Sequence, residues 1–270
     1  MSFNASRRQA IASLSALVGC GVVSGCGGQG AVGFEARRAT ESASCPARPA
    51  WDYPLLEPAA VAATAYRIYP DGGCMYAVVG SVIGELAKQV GEPFRSFPVE
   101  MMRFGDGGVG GWGAMCGVVN GGAALIGLFH REKAKELRES TIAELCAWYE
   151  TTLLPTFQPV TPEWADEATP SIAGSVLCHV STSKWSKASG FEAVSTEKKE
   201  RCRRLAADGA VKTVEILNRR ARDPQCKFLG PTPEAKSCIG CHGPQELGDA
   251  MGKMKCAACH DFGKAKHPKP

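Results

Sequence analysis

The sequence predicts a mainly α-helical body followed by a short irregular C-terminal segment. Three observations carry this. Apolar residues recur at spacings of three and four in several segments, no stretch sustains the period of two that a half-buried strand requires, and Pro, Gly and Lys crowd the chain from Phe228 onward. With 270 residues, 44% hydrophobic and 21% charged, the chain has the composition of a folded protein of about two domains, not of a disordered or collagen-like one.

Residues 1–26 read as an export leader. Arg7 and Arg8 precede a modest apolar run from Ile11 to Val23, interrupted by Ser13, Ser15 and glycines, too short and too polar to span a bilayer. The arginine pair resembles a twin-arginine signal, with Ala10 where an aromatic is usual. Leu17-Val18-Gly19-Cys20 and Val23-Ser24-Gly25-Cys26 both look like a lipobox, so a lipid anchor on Cys20 or Cys26 and a plainly cleaved leader fit equally. Either one directs the protein to the periplasm or to a periplasm-facing membrane surface. Residues 27–55, rich in Gly, Ala, Arg, Ser and Pro without periodicity, form a linker or arm.

The helical body is placed at 56–226. Met75, Val79, Val82, Ile83, Leu86 and Val90 set one helix, beginning after Gly72-Gly73 and ending at Gly91. A second is predicted from about Ala114 to His130, and a third from Ile142 to Leu153, closed by Pro155. The longest runs from Ser195 to Arg222, with Cys202, Ala206, Ala210, Val214 and Leu217 on one stripe and Lys and Arg on the other faces. The tail, 227–270, has too few large apolar side chains to build a core unless it packs around a cofactor.

Charge excludes one function class. The net charge is +4, of which Arg7 and Arg8 supply two, too little for the basic patch of a nucleic-acid binder. In the tail seven Lys face four acidic residues, a modest positive surplus. Thirteen cysteines against five histidines are more informative: so many thiols are unusual for a cytosolic enzyme, and an odd number cannot all pair as disulfides.

Cys238-Ile239-Gly240-Cys241-His242 and Cys256-Ala257-Ala258-Cys259-His260 are two copies of CxxCH. Two thiols three positions apart can add to the two vinyl groups of one haem, and the adjacent His then reaches the iron, so His242 and His260 are the proximal ligands. A zinc ribbon is the rival, because 14 residues separate the two CxxC pairs. The His that follows each pair and the export leader decide for two haems c. His130, His179 and His267 are the candidate distal ligands, with Met251 and Met254 as thioether alternatives. The bland readings are that His130 is a helix-end cation, His267 a solvated tail residue and the methionines core filler.

Cys45, Cys74, Cys116, Cys146, Cys178, Cys202 and Cys226 remain, none in a CxxC pair. Core thiols, disulfides and metal ligands all fit them. Cys74 and Cys116 stand at predicted helix starts, where the amide dipole favours a thiolate. Between them Gly108, Gly110 and Gly113 spell GxGxxG, but the preceding Phe97 to Phe104 lacks a strand pattern, so a dinucleotide fingerprint is rejected. Close backbone approach, with amides donating to sulfur, is the better use of so much glycine.

On these residues the chain, over roughly 60–267, resembles the split-Soret cytochromes c. Its body resembles a wider family of redox-active proteins named for a C…GCAxxG…C…C pattern, through Gly73-Cys74-Met75, the block ending Cys116-Gly117-Val118-Val119-Asn120-Gly121, Leu177-Cys178-His179 and Cys202-Arg203-Arg204. Met115 and Gly117 flank Cys116 where the pattern has Gly and Ala. The resemblance implies an α-helical homodimer with two closely stacked bis-His haems per subunit, one ligand crossing from the partner, and one [2Fe-2S] cluster per subunit. It would place the cluster on Cys74, Cys116, Cys178 and Cys202, with Cys146 as substitute. The expected function is electron transfer with redox protein partners. The main rival is a multihaem enzyme reducing a small oxyanion at an open haem.

Overall fold

The computed structural model describes residues 51–130, 135–166, 168–223, 226–227 and 230–260. The leader with Cys20 and Cys26, most of the linker with Cys45, and His267 lie outside the described residues. Six α-helices make the described part: α1 Pro58–Gln89, α2 Gly117–Phe129, α3 Lys135–Thr151, α4 Cys178–Ser189, α5 Thr196–Arg222 and α6 Pro233–His242. Among the described residues there is no strand, only isolated antiparallel bridges between Met115 and Leu177 and between Leu154 and Ser171.

Helix α1 starts where Glu57 accepts from the Ala59 amide and Pro58 takes the first turn, a position where its missing N–H costs nothing. It carries Pro70 and then bends at Gly73, whose φ of 76° is left-handed. A side chain at Gly73 would overlap Asp106. The half after the bend is the predicted helix. The half before it was not expected, because its buried face is made of Val61, Ala62, Ala65, Tyr66 and Tyr69, too rich in alanine to stand out as a stripe.

Helix α5 crosses α1 and α2 through the centre. Ser195 caps it by accepting from the Lys198 amide. The arginines on the faces away from the apolar stripe, Arg201, Arg203 and Arg204, are buried as well. Two of these charges find partners inside the protein. Arg204 Nε donates to Glu200 Oε1 at 2.7 Å, and Glu200 also accepts from Tyr66 Oη at 2.8 Å. Arg203 pairs with Glu163, donates to the Tyr66 carbonyl at 2.6 Å and lies 4.0 Å from the centre of the Tyr66 ring. Helix α5 is therefore buried nearly all round from Glu200 to Ala210.

Helices α2 and α5 match their predicted spans within three residues, and α3 begins earlier than predicted. Helix α4 was not predicted. Its sequence, CHVSTSKWSKAS, buries only Ser181 and Trp185, so no apolar stripe marks it. It ends at Gly190, in the left-handed conformation typical of a C-terminal glycine. The tail is less irregular than expected. Thr232 caps α6 by accepting from the Ala235 amide, Pro233 follows, and a single 3-10 turn covers Cys256–Ala258.

Candidate functional site

Four separate elements each deliver one thiol to a common point. Cys74 follows the bend in α1, Cys116 is the residue that caps α2, Cys178 opens α4, and Cys202 lies within α5. The Cys74 thiol is within hydrogen-bond reach of both Cys116 and Cys202, and Cys178 reaches Cys116. The order in space is Cys202, Cys74, Cys116, Cys178. Cys74, Cys116 and Cys202 are buried and Cys178 is half-buried; none is in a disulfide. The thiols form a file, and among the described residues no three His, Cys, Asp or Glu side chains converge as one ion would require.

Within the file the thiols differ in acidity. Hydrogen bonds from Cys178 and Cys74 hold Cys116 well below the ordinary thiol value against the cost of burial, helped by the Tyr149 hydroxyl and the Val118 amide. The bond from Cys74 likewise brings Cys202 down to about 6 despite burial, aided by the charges of Arg201 and Lys198. Cys74 and Cys178, which donate these bonds, are pushed up. The helix-start argument therefore fails for Cys74, and for Cys116 it gives the right direction for a lesser reason.

Polar side chains ring the thiols. Cys74 Sγ is 3.8 Å from Tyr69 Oη, Arg201 Nη1 is 3.8 Å from Cys202 Sγ, and Cys178 Sγ is 4.0 Å from Thr182 Oγ1. Ser181 Oγ accepts from Tyr149 Oη at 3.0 Å and from Arg201 Nη2 at 2.8 Å. None of these residues was read from the sequence. Arg201 alone carried a signal there, as a cation beside a cysteine on an otherwise apolar helix stripe.

The glycine loop approaches closely, as expected. A Cβ on Gly108 would sit 2.7 Å from Cys178 Cβ, and one on Gly113 would sit 2.9 Å from His179 Cβ. The expected amide donation to sulfur is corrected. The Gly110, Gly111, Gly113 and Ala114 amides donate to carbonyls within the loop, and the amide that serves a thiol is that of Val118.

The other candidates lie elsewhere. Cys146 on α3 is half-buried and pushed up to about 11 by burial and by Glu150; its charged neighbours are Glu150 and Lys253, not the four thiols. His179 is exposed, its amide donating to the Gly113 carbonyl at 3.0 Å. His130 terminates α2 with Nδ1 2.9 Å from the Ile126 carbonyl. Burial, with Arg220 and Arg138 nearby, lowers its pKa, which disfavours the bland reading of a helix-end cation.

The two CxxCH segments lie together in the tail. Cys238, Cys241 and His242 occupy the last turns of α6, where residues three apart share a face, and Cys256 begins the 3-10 turn. Cys256 is within hydrogen-bond reach of Cys238. His242 Nδ1 is 3.0 Å from Asp249 Oδ1, a contact that fixes the orientation of the ring. Apolar burial in the described tail is confined to Ala235, while Leu247, Met251 and Met254 are exposed. A cleft of about 340 Å3 separates α3 from Ala257 and Ala258, with Lys184, Lys255 and Glu150 on its walls. Lys255 joins tail to body: its amide donates to Glu150 Oε1 at 3.4 Å. No helix among the described residues is long and apolar enough to cross a membrane.

Comparison with known proteins follows the same geometry. Residues 76–216, more than half of the chain, match the family described as "Putative redox-active protein (C_GCAxxG_C_C)". The split-Soret cytochrome c of Desulfovibrio desulfuricans is 35% identical over 219 residues, 78% of this chain and 77% of that protein. A solved structure of the split-Soret cytochrome c from D. desulfuricans ATCC 27774, reported for its novel iron centre, aligns with a TM-score of 0.73 and 33% identity, covering 81% of this chain and 93% of that one. This chain belongs to the split-Soret cytochrome c family and, through its body, to the C_GCAxxG_C_C redox-active proteins.

Proposed function

We propose that the chain is an exported electron carrier holding two haems c on its tail and one [2Fe-2S] cluster in its body. Haem and cluster, when bound, each accept and release one electron at a time. The observation that carries the cluster is the meeting of four thiols from four helices, in a file too extended for one ion and divisible into the two pairs a two-iron centre takes. Cys74, Cys116, Cys178 and Cys202 would hold it, while the Tyr69 and Thr182 hydroxyls and the Val118 amide lie within donating reach of the sulfurs. Such donors are what a protein uses to set a cluster's potential.

For the haems the supporting observation is the tail itself. Cys238 and Cys241, and Cys256 and Cys259, are not in disulfides, and the nearby Leu247, Met251 and Met254 are left exposed. Asp249 orients the His242 ring, and Lys184 and Lys255 offer cations for propionates beside the second segment. His260 is the second proximal ligand, and His130, His179 and His267 remain the candidates for the distal positions. The same reading includes export by the twin-arginine-like leader to the periplasm, a homodimer and redox protein partners.

One preparation tests it. Intact mass of natively produced protein should exceed the processed polypeptide by two haems, with iron and acid-labile sulfide both present. The bare polypeptide mass would overturn the reading. Carbon monoxide should leave the reduced spectrum unchanged, since bis-His haems have no open position; binding would favour the oxyanion-reducing enzyme.

A further inference from the structure

Among the described residues Arg201 is a buried charge, 2% exposed, without a carboxylate to offset it. One end of the guanidinium donates to Ser181 Oγ at 2.8 Å, the other lies 3.8 Å from Cys202 Sγ, and Nε has no partner. Its two neighbours on α5 behave differently: Arg203 has Glu163 and Arg204 has Glu200. A buried cation left uncompensated costs several kcal/mol, and a neutral hydroxyl does not offset that. The groups whose negative charge would favour Arg201 are Cys202, Tyr149 and Cys116, all at the four-thiol site. The second cation near the site, Lys198, has the exposed Asp106 carboxylate within its field as well as the thiols. Arg201 has only the thiol site.

We propose that Arg201 is the counter-cation of the four-thiol centre. It compensates the net negative charge of a cluster held by four thiolates and favours the reduced state, which carries one more negative charge, so it raises the reduction potential of the centre. The step is one electron taken from an external reductant, with no bond made or broken and no proton taken up by Arg201. The inference rests on the iron-sulfur reading of these cysteines. It assigns Arg201 a positioning and tuning role, not a ligand's.

The test is a potentiometric titration of the full, haem-loaded protein followed by the cluster's electron paramagnetic resonance signal. Three variants are compared with the wild type: Arg201→Gln removes the charge, Arg201→Lys keeps it, and Ser181→Ala keeps it while removing its anchor. Arg201→Gln should lower the midpoint by about 59 mV or more, a tenfold or larger change in a one-electron equilibrium. Arg201→Lys and Ser181→Ala should stay near the wild type, and the haem potentials should not move. If Arg201→Gln does not load a cluster, loading of Arg201→Lys at the wild-type potential supports the charge role, and failure of both variants to load overturns it. A wild-type midpoint in Arg201→Gln, or an equal shift in Ser181→Ala, also overturns it. Absence of acid-labile sulfide from the wild type would instead bring down the iron-sulfur reading, and this proposal with it.

Discussion

At Gly108 the chain needs the absence of a side chain. Its φ of +72° is left-handed, and a Cβ there would lie 2.7 Å from Cys178 Cβ and 2.8 Å from both the amide nitrogen and the carbonyl oxygen of Ala114. Gly110 has a similar φ of +59°, but its Cβ would meet nothing within 4 Å. The pair separates backbone strain from steric displacement of Cys178. Gly110→Ala should cost about 1 kcal/mol, the ordinary price of a left-handed alanine. Gly108→Ala adds overpacking, typically about 1–3 kcal/mol more, and displaces Cys178. Denaturant unfolding and a sulfide count on both variants check this, and equal losses would show that the contact with Cys178 is irrelevant. The sequence made the close approach legible because glycine at this density has few other uses. It could not show that the loop's amides were already committed to the loop's own carbonyls, since that depends on where Gly107 and Gly108 turn.

Helix α5 joins the thiol site to the hydrophobic core, and its inner charges form a network. Glu200 accepts from Arg204 and from Tyr66, while Arg204 also donates to Gln158 and to the carbonyls of Ala165 and Asp166. Glu200→Ala leaves the Arg204 guanidinium buried among neutral acceptors only. Breaking a buried pair from one side typically costs about 3–5 kcal/mol, so thermal unfolding of this variant should fall by many degrees. A change within experimental error would show that the pair contributes nothing. Periodicity alone found α2, α5 and the second half of α1, because a stripe of large apolar residues survives in any context. It missed α4 and the first half of α1, whose buried faces are Ser181 and Trp185 in one and mainly small residues in the other. It could not show that the arginines of α5 are buried, because only the fold brings Glu163 and the thiols to them. The cysteines were legible through the family pattern, whereas Tyr69, Tyr149 and Ser181 hold ordinary core positions and acquire meaning only where four elements meet.

Across the whole molecule, the body and the tail are held by different means. The body encloses a continuous core from Leu56 to Leu217 that, among the described residues, draws no apolar side chain from the tail. Beyond Ala235, the contacts that hold the described tail include ion pairs of Lys253 with Glu139 and of Lys255 with Glu234, and the hydrogen bond to Glu150. Exposed pairs of this kind contribute little, because water and salt screen them. Under the proposed function the body should therefore fold and acquire a cluster before haem is attached, which suits export of a folded body by a twin-arginine-like leader and later attachment of haem to the tail. Replacing Cys238, Cys241, Cys256 and Cys259 together with Ser in the full chain tests this order of assembly. The exported variant should keep its helical circular dichroism, its main thermal transition and its acid-labile sulfide, while limited proteolysis cuts after Gly230 far faster than in the haem-loaded protein. Exported variant protein with its helices lost or its sulfide absent would mean that the body depends on the haems to fold, and the two-stage assembly would have to be abandoned.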